Sequence, residues 1–155
     1  MSEIRIGKKV PAFALPAGGG NVERLSDHKG KNVVLYFYPK DNTPGCTLEG
    51  QDFRDHMRRF RALNTVVLGV SRDSVESHDK FCREQKFPFN LLSDADEELC
   101  RTFDVIKLKN MYGKKVRGIE RSTFLIDGKG VLRREWRKVT VEGHVQEVLK
   151  AIAEL

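Results

Sequence analysis

Cys46 closes the string Pro39-Lys-Asp-Asn-Thr43-Pro-Gly-Cys46. The string follows an apolar run, Val33-Val34-Leu35-Tyr36-Phe37-Tyr38, and precedes a stretch with apolar residues at Phe53, Met57, Phe60 and Leu63. The chemistry these residues suit is nucleophilic attack by sulfur. Thr43 is a good helix N-cap, and Pro44 then falls at the first helical position, where its missing N–H costs nothing. Cys46 lies three residues after the cap, near unpaired backbone N–H groups and the positive end of the helix dipole. A free thiol titrates near pH ~8.5, and such surroundings lower that by roughly one to several units. Gly45, with no side chain, lets a small substrate approach the backbone. The competing reading makes Cys46 a small buried hydrophobe and Thr43 an ordinary cap. Cap, proline, glycine and cysteine all agree with activation, which favours the reactive reading.

The elements that must position this thiol follow from the pattern around it. Gly18-Gly19-Gly20-Asn21 is a turn signal that closes a hairpin ending near Val22–Leu25. The run 33–38 is a buried strand, and a helix is expected from about Pro44 to Ala62. Thr65–Val70 is a second buried strand, so the pair forms a βαβ unit with parallel strands. Cys46 then sits at the carboxyl end of the first strand, where open α/β sheets place ligands. A helix is expected over Val75–Gln85, ending before Phe87-Pro88, then a short strand at Leu91–Ser93 and a short helix over Ala95–Phe103. Residues 105–119 read as a basic loop containing Gly113 and Gly118. Ser122–Ile126 and Val131–Trp136 flank the turn Asp127-Gly128-Lys129-Gly130, and a last helix over Glu142–Glu154 carries Val145, Val148, Leu149 and Ile152 on one face. A βαβ half joined to a ββα half is the plan of a thioredoxin-like α/β fold. It has a central mixed sheet flanked by helices, here with an N-terminal hairpin extension, in a single domain over residues 1–155.

Composition narrows the function classes. The chain has 155 residues, 39% hydrophobic and 32% charged, as expected of a soluble globular protein with a real core. No apolar run spans a bilayer, and the N-terminus lacks a secretory or transit pattern, so the expected location is the cytoplasm. Three widely spaced cysteines do not make a secreted disulfide framework. With no C-x-x-C pair, and no ligand spacing among His28, His56, His78 and His144, they do not suit a zinc site either. The net charge of +6 raises nucleic-acid binding. Basic residues cluster at Lys107, Lys109, Lys114, Lys115 and Arg117, and at Arg133, Arg134, Arg137 and Lys138. Aromatic interleaving is limited to Tyr112 and Trp136, and no nucleic-acid-binding signature accompanies them. A solvated basic surface is the simpler account.

Pro39-x-x-x-Thr43-x-x-Cys46 resembles the active-site signature of the peroxiredoxins. The longer string Tyr36-Phe-Tyr-Pro-Lys-Asp-Asn-Thr-Pro-Gly-Cys46-Thr-x-Glu49 is similar to that of the peroxiredoxin Q, or bacterioferritin comigratory protein, branch. The resemblance continues through Phe53-Arg54-Asp55, Gly69-Val70-Ser71, Leu92-Ser93-Asp94 and Glu120-Arg121-Ser122-Thr123-Phe124-Leu125-Ile126-Asp127, nearly the whole chain. It implies a thiol-dependent peroxidase that reduces hydrogen peroxide and organic hydroperoxides without metal, haem or flavin. It implies that Cys46 is the attacking sulfur and that Thr43, through its hydroxyl and backbone, aligns the peroxide. Pro39 would shield the sulfur from bulk water. Arg121 would match the family's essential arginine, stabilising the thiolate and orienting the peroxide oxygens, and Glu49 would help fix that arginine, although on its own pattern Glu49 reads as a solvated helix residue.

Attack on a peroxide leaves Cys46 as a sulfenic acid, which a second thiol condenses with to give a disulfide. Many members of the branch carry that thiol five residues after the first, but here the position is Gln51. Cys82 and Cys100 remain. A subset of the branch places its resolving cysteine in the helix where Cys82 falls, so the resemblance implies Cys82, with thioredoxin as the reductant. Cys100, beside Leu99 and three before Phe103, reads as core. His78, one turn before Cys82, would either help its ionisation or be merely solvated. A disulfide needs Cα atoms within roughly 4.4–6.8 Å, so both helices are expected to loosen before the sulfurs join. In the family, sensitivity to overoxidation goes with a Gly-Gly-Leu-Gly insertion and an extra C-terminal helix; this sequence has neither, so the resemblance implies a robust, monomeric enzyme. Two alternatives stay open: a one-cysteine peroxidase resolved by an external thiol, and a redox-sensing binding protein in which Cys46 is a switch.

Overall fold

The computed structural model describes residues 3–155. Its centre is β3 (Asn32–Phe37), whose residues 33–37 are apolar on both faces because both faces are covered. Side chains alternate along a strand, so Val34, Tyr36 and, just beyond the strand, Tyr38 enter one core, while Val33, Leu35 and Phe37 enter another on the opposite face. The first core is closed by α1 (Pro44–Asp55), α2 (Met57–Ala62), α3 (Val75–Gln85) and α5 (His144–Ala153), which contribute Phe53, Phe60, Phe81 and Val148. The second is closed by α4 (Glu98–Thr102), which supplies Leu99 and Cys100, and by Phe103, Val105 and residues near the N-terminus.

The sheet runs β5-β4-β3-β8-β9. β4 (Thr65–Ser71) and β5 (Asn90–Ser93) lie parallel to β3, while β8 (Ser122–Ile126) pairs antiparallel with β3 and β9 (Leu132–Trp136) antiparallel with β8. This is the thioredoxin-like βαβ plus ββα plan, with a mixed sheet between helices. The glycine-rich turn joins β1 (Ala14–Pro16) to β2 (Val22–Arg24), the expected N-terminal hairpin. No helix among the described residues is long and apolar enough to cross a membrane.

Three elements differ from expectation. The helix expected over residues 44–62 is two helices, broken at His56, whose φ of −108° and ψ of 8° leave the α region. The His56 ring Nδ1 lies 2.7 Å from the Asp52 carbonyl oxygen, taking an acceptor that the next turn would use. The short helix begins at Glu98 rather than Ala95, because the buried Asp94 carboxylate accepts from the amides of Leu99 (3.0 Å) and Cys100 (2.7 Å) and so fixes the first turn. Residues 105–119 are not a loop. β6 (Ile106–Met111) and β7 (Lys114–Ile119) form an antiparallel hairpin turning at Tyr112-Gly113, both at positive φ (53° and 78°). Ile106-Lys107-Leu108-Lys109 alternates, but most residues of the hairpin face solvent, Leu108 among them, and its many charges read as a loop.

Candidate active site

The β3–α1 junction delivers Cys46 as expected. Thr43 is the extended residue before α1, Pro44 opens the helix, and Cys46 lies in its first turn, 2% exposed. One detail differs: the Thr43 hydroxyl does not cap the helix. It donates to the Lys40 carbonyl at 2.9 Å, bracing the loop across Asp41-Asn42 and leaving the amides of the first turn to other acceptors. Pro39 is half-buried at the exit from β3.

Arg121 arrives from the residue before β8, beside β3 in the sheet. Its Nη2 donates to the Cys46 sulfur at 3.4 Å and its Nη1 to Glu49 Oε1 at 2.6 Å. The backbone also ties Arg121 down, its carbonyl accepting from the Val139 amide at 3.0 Å. Gly45 gains a further role here, since a Cβ at that position would lie 3.1 Å from Arg121 Nη2. The missing side chain makes room for the guanidinium as well as for anything approaching the backbone.

Glu49 is not a solvated helix residue. It is 1% exposed, one helical turn beyond Cys46 on the same helix, and pinned to Arg121. Burial pushes its carboxyl up to about 7, against the pull of Arg121, with the Asp52 charge adding to the rise. Its Oε2 is buried with no hydrogen-bond partner among the described residues. Burial works against the charge of Arg121 too, but Glu49 and the Cys46 sulfur more than offset it and hold the guanidinium above its ordinary range. A fixed cation therefore faces the sulfur where negative charge must be held.

Cys82 lies in the third turn of α3, half-buried against the same core that holds Cys46. Burial, with the charges of Asp41 and Asp79, pushes its thiol up to about 12. Cys100 is fully buried in the opposite core, as expected, and burial with the neighbouring Asp94 raises its thiol strongly. All three cysteines are free thiols. Gln51, at the position where the branch more often has its second cysteine, donates from Nε2 to Gln85 Oε1 at 2.9 Å at the end of α3.

His78 is neither solvated nor aimed at Cys82. It is 0% exposed, its Nδ1 is 2.7 Å from Asp41 Oδ2, and its Nε2 is 2.9 Å from the Leu92 carbonyl. A side chain that far inside can keep its polar atoms only by pairing them. Asp41, missed as a site residue although it lies inside the signature string, takes this role because it faces α3. The ligand atoms of Asp41, Asp73 and His78 lie within 4.8 Å of one another, but they are engaged by Tyr38, Ser71, Ser77 and the Asp41 amide, which marks a hydrogen-bond network. The basic surface is also largely engaged: Lys107 pairs with Asp104, Arg117 with Glu97 and Arg133 with Asp127, and Arg137 donates to the Phe103 and Asp104 carbonyls.

Residues 6–135 match the AhpC/TSA family. The chain belongs to that family. Its relatives place it in the peroxiredoxin Q branch. It is 52% identical to peroxiredoxin Bcp of Bacillus subtilis over 152 residues, covering 98% of this chain and 97% of the relative. A solved Xanthomonas campestris peroxiredoxin Q superposes with a TM-score of 0.87 at 55% identity, covering 92% of this chain and 90% of that one. A Xylella fastidiosa peroxiredoxin Q variant gives 0.93 at 47% identity, covering 99% and 98%. As a peroxiredoxin, the chain is a thiol peroxidase. The Xanthomonas protein has been solved as two single Cys→Ser variants, and also in trapped intermediate and ligand complexes bearing on its alkyl peroxide reduction.

Proposed function

We propose that Cys46 is the peroxidatic cysteine, that Cys82 resolves it within the chain, and that thioredoxin restores both thiols. The observation that carries the first part is the Arg121 guanidinium, donating at 3.4 Å to the Cys46 sulfur while Glu49 holds it from behind. The Cys46 thiolate attacks the terminal oxygen of a hydroperoxide. An S–O bond forms, the O–O bond breaks, and the alkoxide or hydroxide leaves and takes a proton. Arg121 and the free amides of the first turn stabilise the negative charge as it moves from sulfur to the leaving oxygen. Thr43 shapes the loop that aligns the peroxide, and Pro39 covers the sulfur on its strand side.

The product is Cys46 sulfenic acid. The Cys82 sulfur then attacks the Cys46 sulfur, expelling hydroxide, which takes the Cys82 proton and leaves as water. An external dithiol reduces the resulting disulfide. The two cysteines of the Xanthomonas Cys→Ser variants are separated by the same number of residues as Cys46 and Cys82, which supports this pairing. The thiolate is the nucleophile, and a Cys82 thiol pushed up to about 12 is protonated at neutral pH. Resolution therefore needs α3 to loosen. We place the enzyme in the reducing cytoplasm, acting as a monomer of one peroxiredoxin domain, with hydrogen peroxide and organic hydroperoxides as substrates. Three free thiols are consistent with that compartment.

The test is intact mass and free-thiol count after one equivalent of hydrogen peroxide, on the wild type and on Cys82→Ser. Loss of two hydrogens and two thiols in the wild type, with sulfenic acid trapped in the variant, is the expected result. Sulfenic or sulfinic acid in both proteins makes this a one-cysteine enzyme resolved by an external thiol. A wild type that does not react loses the peroxidatic assignment of Cys46.

A further inference from the structure

Asp41 and His78 tie together the two segments that the resolving step must separate. Asp41 lies on the β3–α1 loop, five residues before Cys46; His78 lies on α3, four residues before Cys82. Their side chains are 3% and 0% exposed and meet at 2.7 Å. The same carboxylate accepts from the Ser77 hydroxyl at 2.8 Å through Oδ2 and from the Tyr38 hydroxyl at 2.6 Å through Oδ1. The Asp41 amide donates to Asp73 at 2.8 Å. Because the Leu92 carbonyl can only accept, His78 Nε2 carries a proton, and one further proton must lie between Nδ1 and Asp41 Oδ2. Breaking this cluster would leave a buried carboxylate and imidazole without their partners, a cost the network shares.

We propose that Asp41, Ser77 and His78 form a clasp that holds the Cys46 loop to the Cys82 helix, and that its opening sets the rate of disulfide closure. These are positioning residues; none touches the reacting sulfur. With the clasp closed, α1 keeps its first turn and Cys46 stays beside Arg121, ready for peroxide. With it open, the start of α3 is released and Cys82 leaves the packing that keeps its thiol protonated. A tighter clasp thus prolongs the life of Cys46 sulfenic acid and gives a second peroxide more time to convert it to sulfinic acid. This rests on the assignment of Cys82 as resolving cysteine.

The test separates the two chemical steps by rapid mixing with hydrogen peroxide in wild type, Asp41→Asn and Ser77→Ala. Ser77→Ala removes one donor from the carboxylate but leaves the Asp41–His78 hydrogen bond, so it reports even if Asp41→Asn does not fold. Hydrogen bonds to charged groups are strong enough that losing one shifts such an opening by roughly tenfold or more. The expected result is closure faster by about that factor, a smaller sulfinic fraction at excess peroxide, and a first-step rate within about threefold of wild type. Amide hydrogen exchange in Ser77→Ala should rise together over residues 41–47 and 75–85. Unchanged or slower closure in a wild-type background that does form the disulfide overturns the clasp, as does faster exchange confined to α3. A wild type that forms no disulfide overturns the resolving role of Cys82 and the clasp with it.

Discussion

Cys46 and Cys82 border the same core, yet their surroundings are opposite. Cys46 lies in the first turn of α1 with a guanidinium 3.4 Å from its sulfur. Cys82 lies inside α3, where burial plus two nearby aspartates push its thiol up to about 12. On the proposed roles, one sulfur meets its cation where it stands, and the other becomes a nucleophile only after its helix moves. On the proposed pairing, the difference orders the reaction: peroxide meets the closed structure and disulfide formation the open one, so the two steps make contrary demands on the same loop and helix.

The sharpest way to break this contrast is at the armed sulfur. Cys46→Ser should abolish peroxide reduction, while Cys82→Ser keeps the first turnover within about twofold and loses only the disulfide. Arg121→Ala should come next, lowering the second-order rate with hydrogen peroxide by about 10²–10³, the range seen when one preorganised donor to developing charge is removed. Arg121→Lys recovers little, because a lysine cannot serve sulfur and Glu49 with a planar fork. Single-turnover rates at fixed pH check both, and near-wild-type rates in Arg121→Ala would return Arg121 to the ordinary surface arginines.

The sequence carried the armed half of the comparison well and the reserve half poorly. Thr43, Pro44, Gly45 and Cys46 lie together in one string, so local rules place Thr43 before the helix and Cys46 in its first turn, although the Thr43 hydroxyl bonds Lys40 instead of capping. Arg121 was legible only through resemblance, because what brings it to Cys46 is the antiparallel pairing of β8 with β3. Glu49 and His78 read as solvated from their own helices, since burial depends on what packs over them. The same limit hid the β6–β7 hairpin, whose short Ile106/Leu108 alternation is outweighed by its exposed charges, and the break at His56, which turns on one ring nitrogen and one carbonyl.

Two buried groups near the site give smaller effects with opposite pH dependence. Glu49 keeps its proton to about 7 in the fold, against ~4.5 unfolded. Its contribution is fully present below pH ~4.5 and is lost as pH rises through 7. His144, whose Nε2 is 2.8 Å from Thr123 Oγ1, is held down to about 4 by burial and then by Arg121. Its contribution is present above pH ~6.5 and is lost as pH falls through 4. Each shift corresponds to about 3 kcal/mol at most. The two nearly cancel between pH 4.5 and 6.5, so removing either exposes the other. Denaturant unfolding of Glu49→Gln should show stability falling on acidification through that window more steeply than wild type, and His144→Gln should show it falling as pH rises. Parallel profiles for all three proteins would mean that neither group carries its burial into stability.

The smallest effect lies where the two cysteine-bearing helices are joined away from the clasp. Gly50 of α1 packs on Phe87, just beyond α3, and a Cβ there would meet the ring at 2.3 Å. Arg54 donates to the Gln85 carbonyl at 2.8 Å along the same seam. Glycine to alanine inside a helix ordinarily stabilises by about 0.5–1 kcal/mol. Here overpacking of about 1–3 kcal/mol opposes it, because a ring wedged between two helices has little room to retreat. Gly50→Ala should therefore lose about 1 kcal/mol, read as a lower denaturant midpoint at unchanged slope. It should also speed Cys46–Cys82 closure modestly without slowing the first step. A gain in stability would show that Phe87 moves aside easily and that the seam does not restrain α3, leaving the clasp at the other end of that helix to do so alone.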